Sequence, residues 1–496
     1  MYLPLALLVI GASRVYSNAY PPVIPTDLET PVQQRIAIRS PTQISVAWNT
    51  YRLLFQPCVE YGTSATNLSS KACSSASITH STSRTHFNTV HLVGLKPATT
   101  YYYKIVSTNS SVEQFFSPRV PGDTTPFAIN AVIDLGVYGS DGYTIGKDRS
   151  FDGIVHNVEP SLNHTTISRL VNTLDKFELV IHPGDLAYAD NWFQIKHNQF
   201  DGTNAYESIL EQFYGQLAPI SGVKPYMAGP GNHEAGCEQS GRTSFKCADG
   251  QRNFGDFDYR FGSSMPKAFT STSMDTTAKI NANKAAVLAS PPFWYSFEYG
   301  MAHITMIDTE TDFPEAPDGL GGSAQYHHSG PFGLPKQQLQ FLEADLASVD
   351  RTVTPWLIVA GHRPWYATGK NCKPCQVAFE DLLYKYGVDL VVSGHIHSSQ
   401  RIKPIYGGVV DPNGLYDPKA PMYIVAGGAG NIEGLDRHHG KKPNHVAWMN
   451  DSDFGYSTLS FLDKNRLKVD FINSYTGGIL DSATLLKSHA EAFVRQ

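Results

Sequence analysis

The side chains best suited to chemistry in this chain of 496 residues fall at the ends of short apolar runs. The sharpest case is Val391-Val392-Ser393-Gly394-His395-Ile396-His397. Val388 to Val392 is apolar but for Asp389 and rich in β-branched residues, with Gly387 before it, so it reads as a buried strand. Gly394 permits a sharp turn at the strand end. His395 and His397 then project from irregular chain at the carboxyl edge of a sheet, where α/β folds collect ligands. Neutral imidazole is a common metal ligand, and two on one loop can serve one ion or two adjacent ions. A surface loop that happens to hold two histidines fits these seven residues equally well, so the rest of the chain must decide.

Four other apolar runs end in the same way. Phe127 to Ile133 leads into Asp134-Leu135-Gly136, and Glu178 to His182 into Gly184-Asp185-Leu186-Ala187-Tyr188. Pro225 to Ala228 leads into Gly229-Pro230-Gly231-Asn232-His233-Glu234, and Trp356 to Ala360 into Gly361-His362-Arg363-Pro364-Trp365-Tyr366. Each piece alone has a plain structural reading, a buried aspartate capping a helix or a core histidine with its hydrogen bonds met. Five such pieces, each after an apolar strand, favour one shared site of carboxylate, imidazole, amide and phenol groups.

The elements that must hold these groups alternate. From Phe127 onward strands, including His303 to Ile307, interleave with helices. Thr166 to Leu174 puts Ile167, Leu170, Val171 and Leu174 on one helical face, and Pro335 opens a helix with Leu339, Leu342 and Leu346 in register. Val377 to Tyr386 is a third helix, stopped by Gly387. The last stretch returns to strands at Met422 to Ala426, Ser457 to Phe461 and Leu467 to Phe471. Before all this, Thr26 to Val120 is all-β: Ile36 and Ile38, then Ile44, Val46 and Trp48, alternate with other residues, the period of strands with one buried face. Leu95-Lys96-Pro97-Ala98-Thr99-Thr100-Tyr101 resembles the corner of a fibronectin type III-like sandwich, where a tyrosine folds its hydroxyl back onto the loop. Pro118 to Pro126 reads as a linker.

Composition sets the class. The net charge is −6 with no Lys/Arg cluster, which excludes binding to a nucleic-acid backbone. Leu3 to Ala12 is an apolar run too short for a membrane span, and Ser17-Asn18-Ala19 offers small residues for cleavage. This reads as a signal peptide, with a buried N-terminal strand as the other reading. No other run is long enough to span, so the expectation is a soluble protein that is extracellular or lodged in a cell wall or vacuole. Six cysteines form three local pairs, Cys58 with Cys73, Cys237 with Cys247 and Cys372 with Cys375, out of fifteen possible connectivities. Cys372-Lys-Pro-Cys375 has no second C-x-x-C to complete a four-thiolate metal site, which favours a disulfide. Asn67, Asn109, Asn163 and Asn450 each open a glycosylation sequon.

Together these segments resemble the purple acid phosphatases of the metallophosphoesterase superfamily, in the larger two-domain plant and fungal form. The superfamily pattern has D-x-H first and G-D-x-x-D/N second; here Gly136 replaces that histidine and Tyr188 that acid or amide, the double exchange that marks this family. The resemblance implies an αββα metallophosphoesterase sandwich behind an N-terminal fibronectin type III-like domain. The expected layout is a leader at 1–19, the β-sandwich at 20–120 and a dimetal catalytic domain at 121–496. It further implies Fe(III) on Asp134, Asp185, Tyr188 and His397, and a divalent ion (Zn, Fe or Mn) on Asp185, Asn232, His362 and His395, with Asp185 bridging. A phenolate suits ferric iron and its charge-transfer band gives the colour. Two ions about 3.5 Å apart clamp the attacking and leaving oxygens of an in-line displacement. The implied activity is a secreted acid phosphatase in which a bridging or terminal hydroxide attacks phosphate monoesters, with phytate a candidate among them, and with His233 stabilising the phosphoryl group or protonating the leaving oxygen.

One departure stands out. The plant members carry a histidine pair some nine residues beyond the position of His362, where this chain reads Thr368-Gly369-Lys370-Asn371-Cys372. His327-His328 on a Gly-rich loop is the nearest substitute by type, with His438-His439 and His182 behind it. A phosphodiesterase or nucleotide pyrophosphatase on the same metal core is the alternative activity. A non-catalytic binding protein is a third reading, which the complete ligand set opposes.

Overall fold

The computed structural model describes residues 22–137, 166–190, 202–235, 250–267, 269, 271–319, 329–431 and 433–489. The expected leader, Asn163, the Cys237 and Cys247 pair, and His327-His328 lie outside the described residues.

The N-terminal part is a sandwich of two antiparallel sheets. One holds Val32–Ser40, Gln43–Thr50 and His86–Leu92; the other holds Ser70–Cys73, Cys58–Gly62, Thr100–Ile105 and Glu113–Phe116. Ile36, Ile38, Ile44, Val46 and Trp48 are all buried between them. The opposite face of the first strand is buried too, at Arg35 and Ala37, which the alternating pattern does not announce. The cause is the neighbouring domain. Arg35 Nη2 donates to the Arg260 carbonyl at 3.1 Å, and Ser221 Oγ to the Gln34 carbonyl at 2.7 Å. The tyrosine corner forms as expected, with Lys96 N donating to Tyr101 Oη at 3.0 Å. Cys58 and Cys73 face each other across paired strands and form a disulfide, as do Cys372 and Cys375.

The remainder is built on two mixed sheets. The six-stranded sheet runs in the order Tyr226–Gly229, Leu179–Pro183, Phe127–Ala131, Gly455–Asp463, Arg466–Asn473, Ile479–Leu486. Its first three strands are parallel and its last three antiparallel. The seven-stranded sheet runs Tyr295–Tyr299, Ala302–Met306, Trp356–Ala360, Leu390–Ser393, Met422–Ala426, Ser399–Ile402, Val446–Asn450, with the middle four central strands parallel. Strands such as Trp356–Ala360 and Met422–Ala426 are buried at every residue, the mark of a sheet covered on both faces. The two sheets meet where Met306 fills the space beside Gly229 and where Tyr295 Oη donates to the Ala228 carbonyl at 2.7 Å. Helices Thr276–Leu288, Gln337–Ser348 and Lys373–Lys385 pack in series along one side. This is the expected αββα class with an all-β domain before it.

Element boundaries differ from the sequence reading where the backbone does something local. Lys336 is left-handed at φ 66°, so the helix starts at Gln337 and Pro335 stays outside it. The next helix starts at Lys373 rather than Val377, because Cys372 Sγ accepts from Cys375 N and caps it. Gly387 at φ 66° ends that helix as expected. The helix expected to reach Leu174 ends at Val171, and a tighter turn follows at Leu174–Lys176.

Candidate metal centre

All five chemistry-bearing segments leave parallel strands at their carboxyl ends. Asp134, Asp185 with Tyr188, and Asn232 with His233 follow adjacent strands of the six-stranded sheet; His362, and His395 with His397, follow adjacent strands of the other. Asp134, Asp185, Tyr188 and His395 all have left-handed backbone, at φ 60°, 53°, 54° and 66°. Non-glycine residues adopt that conformation at a cost, and its clustering at one site is the usual sign of a functional constraint. The turn after Leu390–Ser393 is taken by His395 itself and not by Gly394. Gly394 is required for another reason: a Cβ there would lie 2.2 Å from Ile133 and 2.4 Å from Asp134 Oδ2. Gly231 is equally tight, with Asp185 Oδ1 2.3 Å from the place of its Cβ.

The donor atoms fall into two overlapping groups. In the first, Tyr188 Oη lies 2.8 Å from Asp134 Oδ1, 2.8 Å from His397 Nε2 and 3.2 Å from Asp185 Oδ2. In the second, His362 Nε2 lies 3.0 Å from Asp185 Oδ2 and 3.1 Å from Asn232 Oδ1. His395 joins it, with donor atoms of Asp185, His362 and His395 all within 4.8 Å of one another. Asp185 Oδ2 is common to both groups. The other oxygen of each carboxylate is fixed to backbone: Asp185 Oδ1 accepts from His233 N at 2.8 Å, and Asp134 Oδ2 from His395 N at 2.8 Å. Each carboxylate therefore aims one oxygen inward and is oriented by the other.

The electrostatics call for a cation. Burial pushes Asp134 well above the usual carboxylate range, with His362 pulling it back and Asp185 adding to the rise. Burial acts on Asp185 too, but His362 and His233 beside it hold it well below that range. Burial and the two carboxylates push the Tyr188 phenol well above its ordinary value. Burial lowers His395 well below the ordinary imidazole value, with Arg363 adding to the effect, and burial also lowers His397. Among the described residues no Lys or Arg pairs with Asp134 or Asp185. Buried carboxylates, a phenol and neutral imidazoles facing one space form the donor chemistry of a metal site, and metal charge is what would ionise the phenol.

His233 stands beside this centre. Its Nδ1 lies 2.8 Å and 3.0 Å from the two oxygens of Asp190, and its ring lies 4.0 Å from that of Tyr188. Its Nε2 faces the centre, 3.9 Å from Asp185 Oδ2 and 3.9 Å from Glu433. Burial would lower its pKa, yet Asp190 and Asp185 hold it well above the ordinary value.

Several supporting residues are absent from the sequence reading. Glu234 accepts from the backbone N–H of Asp185, Leu186 and Gly231 at 2.8, 2.8 and 3.1 Å, fastening two ligand loops together. Asp436 accepts from His397 N at 3.0 Å. Arg363 reaches His395 Nε2 at 3.1 Å while Glu310 and Asp318 hold the rest of its guanidinium at 2.6 and 3.2 Å. Arg363 and Asp190 had a visible signal, since each stands within two residues of a candidate ligand. Of the substitute histidines, His182 is a core residue, bonded to Tyr226 Oη and the Asp185 carbonyl.

Comparison with known proteins follows this geometry. Three family models match: Purple acid Phosphatase, N-terminal domain, over residues 31–119; Calcineurin-like phosphoesterase over 155–399; and Iron/zinc purple acid phosphatase-like protein C over 420–482. The chain is 59% identical to Acid phosphatase A of Cryphonectria parasitica, over 100% of this chain and 98% of that one. The chain belongs to the purple acid phosphatase family. It is also 28% identical to an acid phosphatase of Aspergillus ficuum, over 81% of this chain and 76% of that one. The structure of a purple acid phosphatase from yellow lupin seeds shares the fold, with a TM-score of 0.64 at 23% identity, covering 92% of this chain and 75% of that one. Purple acid phosphatases are dinuclear metal enzymes, and in this member Asp185, His362 and His395 form a group that could hold a metal ion. Among the described residues no helix is long and apolar enough to cross a membrane.

Proposed function

We propose that this acid phosphatase hydrolyses phosphate monoesters on an Fe(III)–divalent pair. Asp134, Asp185, Tyr188 and His397 would hold the ferric ion, and Asp185, Asn232, His362 and His395 a divalent Zn, Fe or Mn ion. The observation that carries this reading is Asp185 Oδ2, which lies 3.2 Å from the phenol of one group and 3.0 Å from the imidazole of the other. A hard phenolate in the first group and an amide with two imidazoles in the second suit a ferric and a divalent ion respectively. When bound, such a pair supplies Lewis-acid charge to the phosphoryl oxygens and makes a water acidic enough to attack.

The protein's own part falls to His233. Asp190 fixes the ring through Nδ1 and leaves Nε2 turned into the site. As water adds to phosphorus and the ester P–O bond breaks, Nε2–H delivers its proton to the departing oxygen, giving phosphate and an alcohol. Asn232 and His233 are neighbours, so one short turn supplies a donor and the acid.

We further propose secretion, with glycans at the exposed Asn67 and Asn109 and at the half-buried Asn450. Metal analysis and a panel of monoesters (phytate included), diesters and diphosphates at pH 4 to 7 test the whole reading. The expected result is one iron and one divalent ion in the pair, purple colour, and the highest kcat/KM on monoesters. A colourless, iron-free wild type, or faster diester cleavage, overturns it.

A further inference from the structure

Among the described residues, two groups of three or more His, Cys, Asp and Glu side chains bring their donor atoms within 4.8 Å of one another. One is Asp185, His362 and His395. The other is His80, Glu207 and Asp256, set where the β-sandwich meets the catalytic domain. His80 precedes the sandwich strand His86–Leu92; Glu207 lies on helix Gly202–Ser221 and Asp256 in the first turn of helix Gly255–Phe261. Glu207 and Asp256 are 4% and 2% exposed, and the His80 side chain is 10% exposed.

Hydrogen bonding orients His80. The Thr82 hydroxyl donates to Glu207 Oε1 at 2.9 Å, so its oxygen is left to accept from His80 Nδ1 at 3.2 Å. Nε2 points at Asp256 Oδ1, 3.6 Å away. Nε2 is buried and, among the described residues, has no hydrogen-bond partner. Burial would lower the His80 imidazole, yet Asp256 and Glu207 beside it raise it above its ordinary value, so the space between Nε2 and Asp256 favours a cation, a proton or a metal ion. Arg260 neutralises one of the two carboxylates, through Asp256 Oδ2 at 3.2 Å and Oδ1 at 3.3 Å. Burial followed by the Asp256 charge pushes Glu207 up to about 7, with His80 and Arg260 pulling it back. Gly250 closes the cluster, its Cβ position 2.5 Å from Glu207 Oε1 and 2.9 Å from the His80 ring.

We propose that His80 Nε2, Glu207 and Asp256 bind a third metal, one divalent transition ion, separate from the catalytic pair. One imidazole and two carboxylates select Zn²⁺ over the all-oxygen preference of Ca²⁺ or Mg²⁺. Thr82 holds the imidazole in its ligating tautomer and orients Glu207, the supporting role that metal ligands commonly need. The ion ties sandwich to catalytic domain and fixes Gly250, the end of the stretch that follows His233.

The test counts metal. Full-length enzyme is loaded with iron and Zn²⁺, desalted, and measured for metal per chain. Wild type is expected to hold one Zn²⁺ beyond the catalytic pair. His80→Ala and Glu207→Gln each lose that ion while keeping the visible absorption and kcat, and the stabilisation by added Zn²⁺ disappears. Should both fold poorly, Thr82→Val keeps all three ligands and is expected to weaken the extra Zn²⁺ about 10-fold or more. A wild type that holds the catalytic pair alone, with His80 titrating as an imidazolium, makes the cluster a proton-bridged ion pair and overturns the proposal. So does retention of the extra ion in both variants.

Discussion

Tyr188→Phe removes one oxygen and little else. The ring keeps its place against His233 at 4.0 Å and His397 at 5.7 Å, so the substitution opens no cavity. What goes is the atom at the middle of the first donor group, 2.8 Å from Asp134, 2.8 Å from His397 and 3.2 Å from Asp185. Loss of a direct ligand should weaken ferric binding by at least the roughly 10- to 100-fold that follows loss of a ligand's supporting partner. Asp134, Asp185 and His397 still supply donors, so iron is retained at high concentration. The colour behaves differently, because the proposed ligand set puts no other phenolate on the ferric ion. The assay is a ferric titration of chelated protein, read by metal per chain and by visible absorbance. The expected outcome is iron without the charge-transfer band at every occupancy. A variant as purple as wild type at equal iron would show that the chromophore lies elsewhere and that the ligand assignment is wrong.

Three further outcomes follow from the geometry. His233→Ala should keep both metals and the colour yet lose about 10²–10⁴ in kcat, less on nitrophenyl than on alkyl phosphates; Asp190→Asn, which only loosens the ring, should lose about 10-fold to 100-fold, and loss of metal in either variant would make His233 a ligand instead. His303, buried against Asp345 at 3.0 Å and Glu298 at 3.6 Å, is pushed up to about 9 because the two carboxylates outweigh burial. A raised folded pKa stabilises fully below the ordinary value of 6.5 and fades as pH rises through about 9, so His303→Gln should lose up to about 3 kcal/mol at pH 5 and little at pH 10; equal losses at both pH values in urea unfolding would refute this. Cys58–Cys73 closes a separation of 15 residues and Cys372–Cys375 one of 3, so serine pairs should cost the sandwich about 3 kcal/mol and the helix cap markedly less, a ranking that denaturation followed at the buried Trp48 can reverse.

The convergence of the candidate loops was legible because each carries its own local signature. An apolar run, a glycine and a polar donor sit within ten residues, and five such runs repeat the pattern. The same holds for the tyrosine corner, whose bond spans Lys96 to Tyr101. What escaped were partnerships made at a distance. Glu234 acts on Asp185, 49 residues away, and Asp436 on His397, 39 residues away. Nothing local marks either carboxylate as a brace. The buried outer face of Val32–Ser40 was missed for a related reason, since alternation reports one covered face and a second domain covers the other. Helix Gly202–Ser221 went unread although Ile209, Phe213, Leu217 and Ile220 recur at helical spacing; Pro219 in its last turn argues locally against it.

Glu234 joins the two loops that carry Asp185 with Tyr188 and Asn232 with His233, through three backbone amides. A hydrogen-bonded side chain shared in this way makes the loops a single unit of inheritance. A segment grafted from a relative, or shuffled in a library, should succeed when Gly184 to Asp190 travels together with Gly231 to Glu234, and should fail when either travels alone. For anyone redesigning the substrate or the metal preference of this scaffold, the smallest exchangeable part is therefore a pair of loops held by one carboxylate, and not the single ligand that each loop displays.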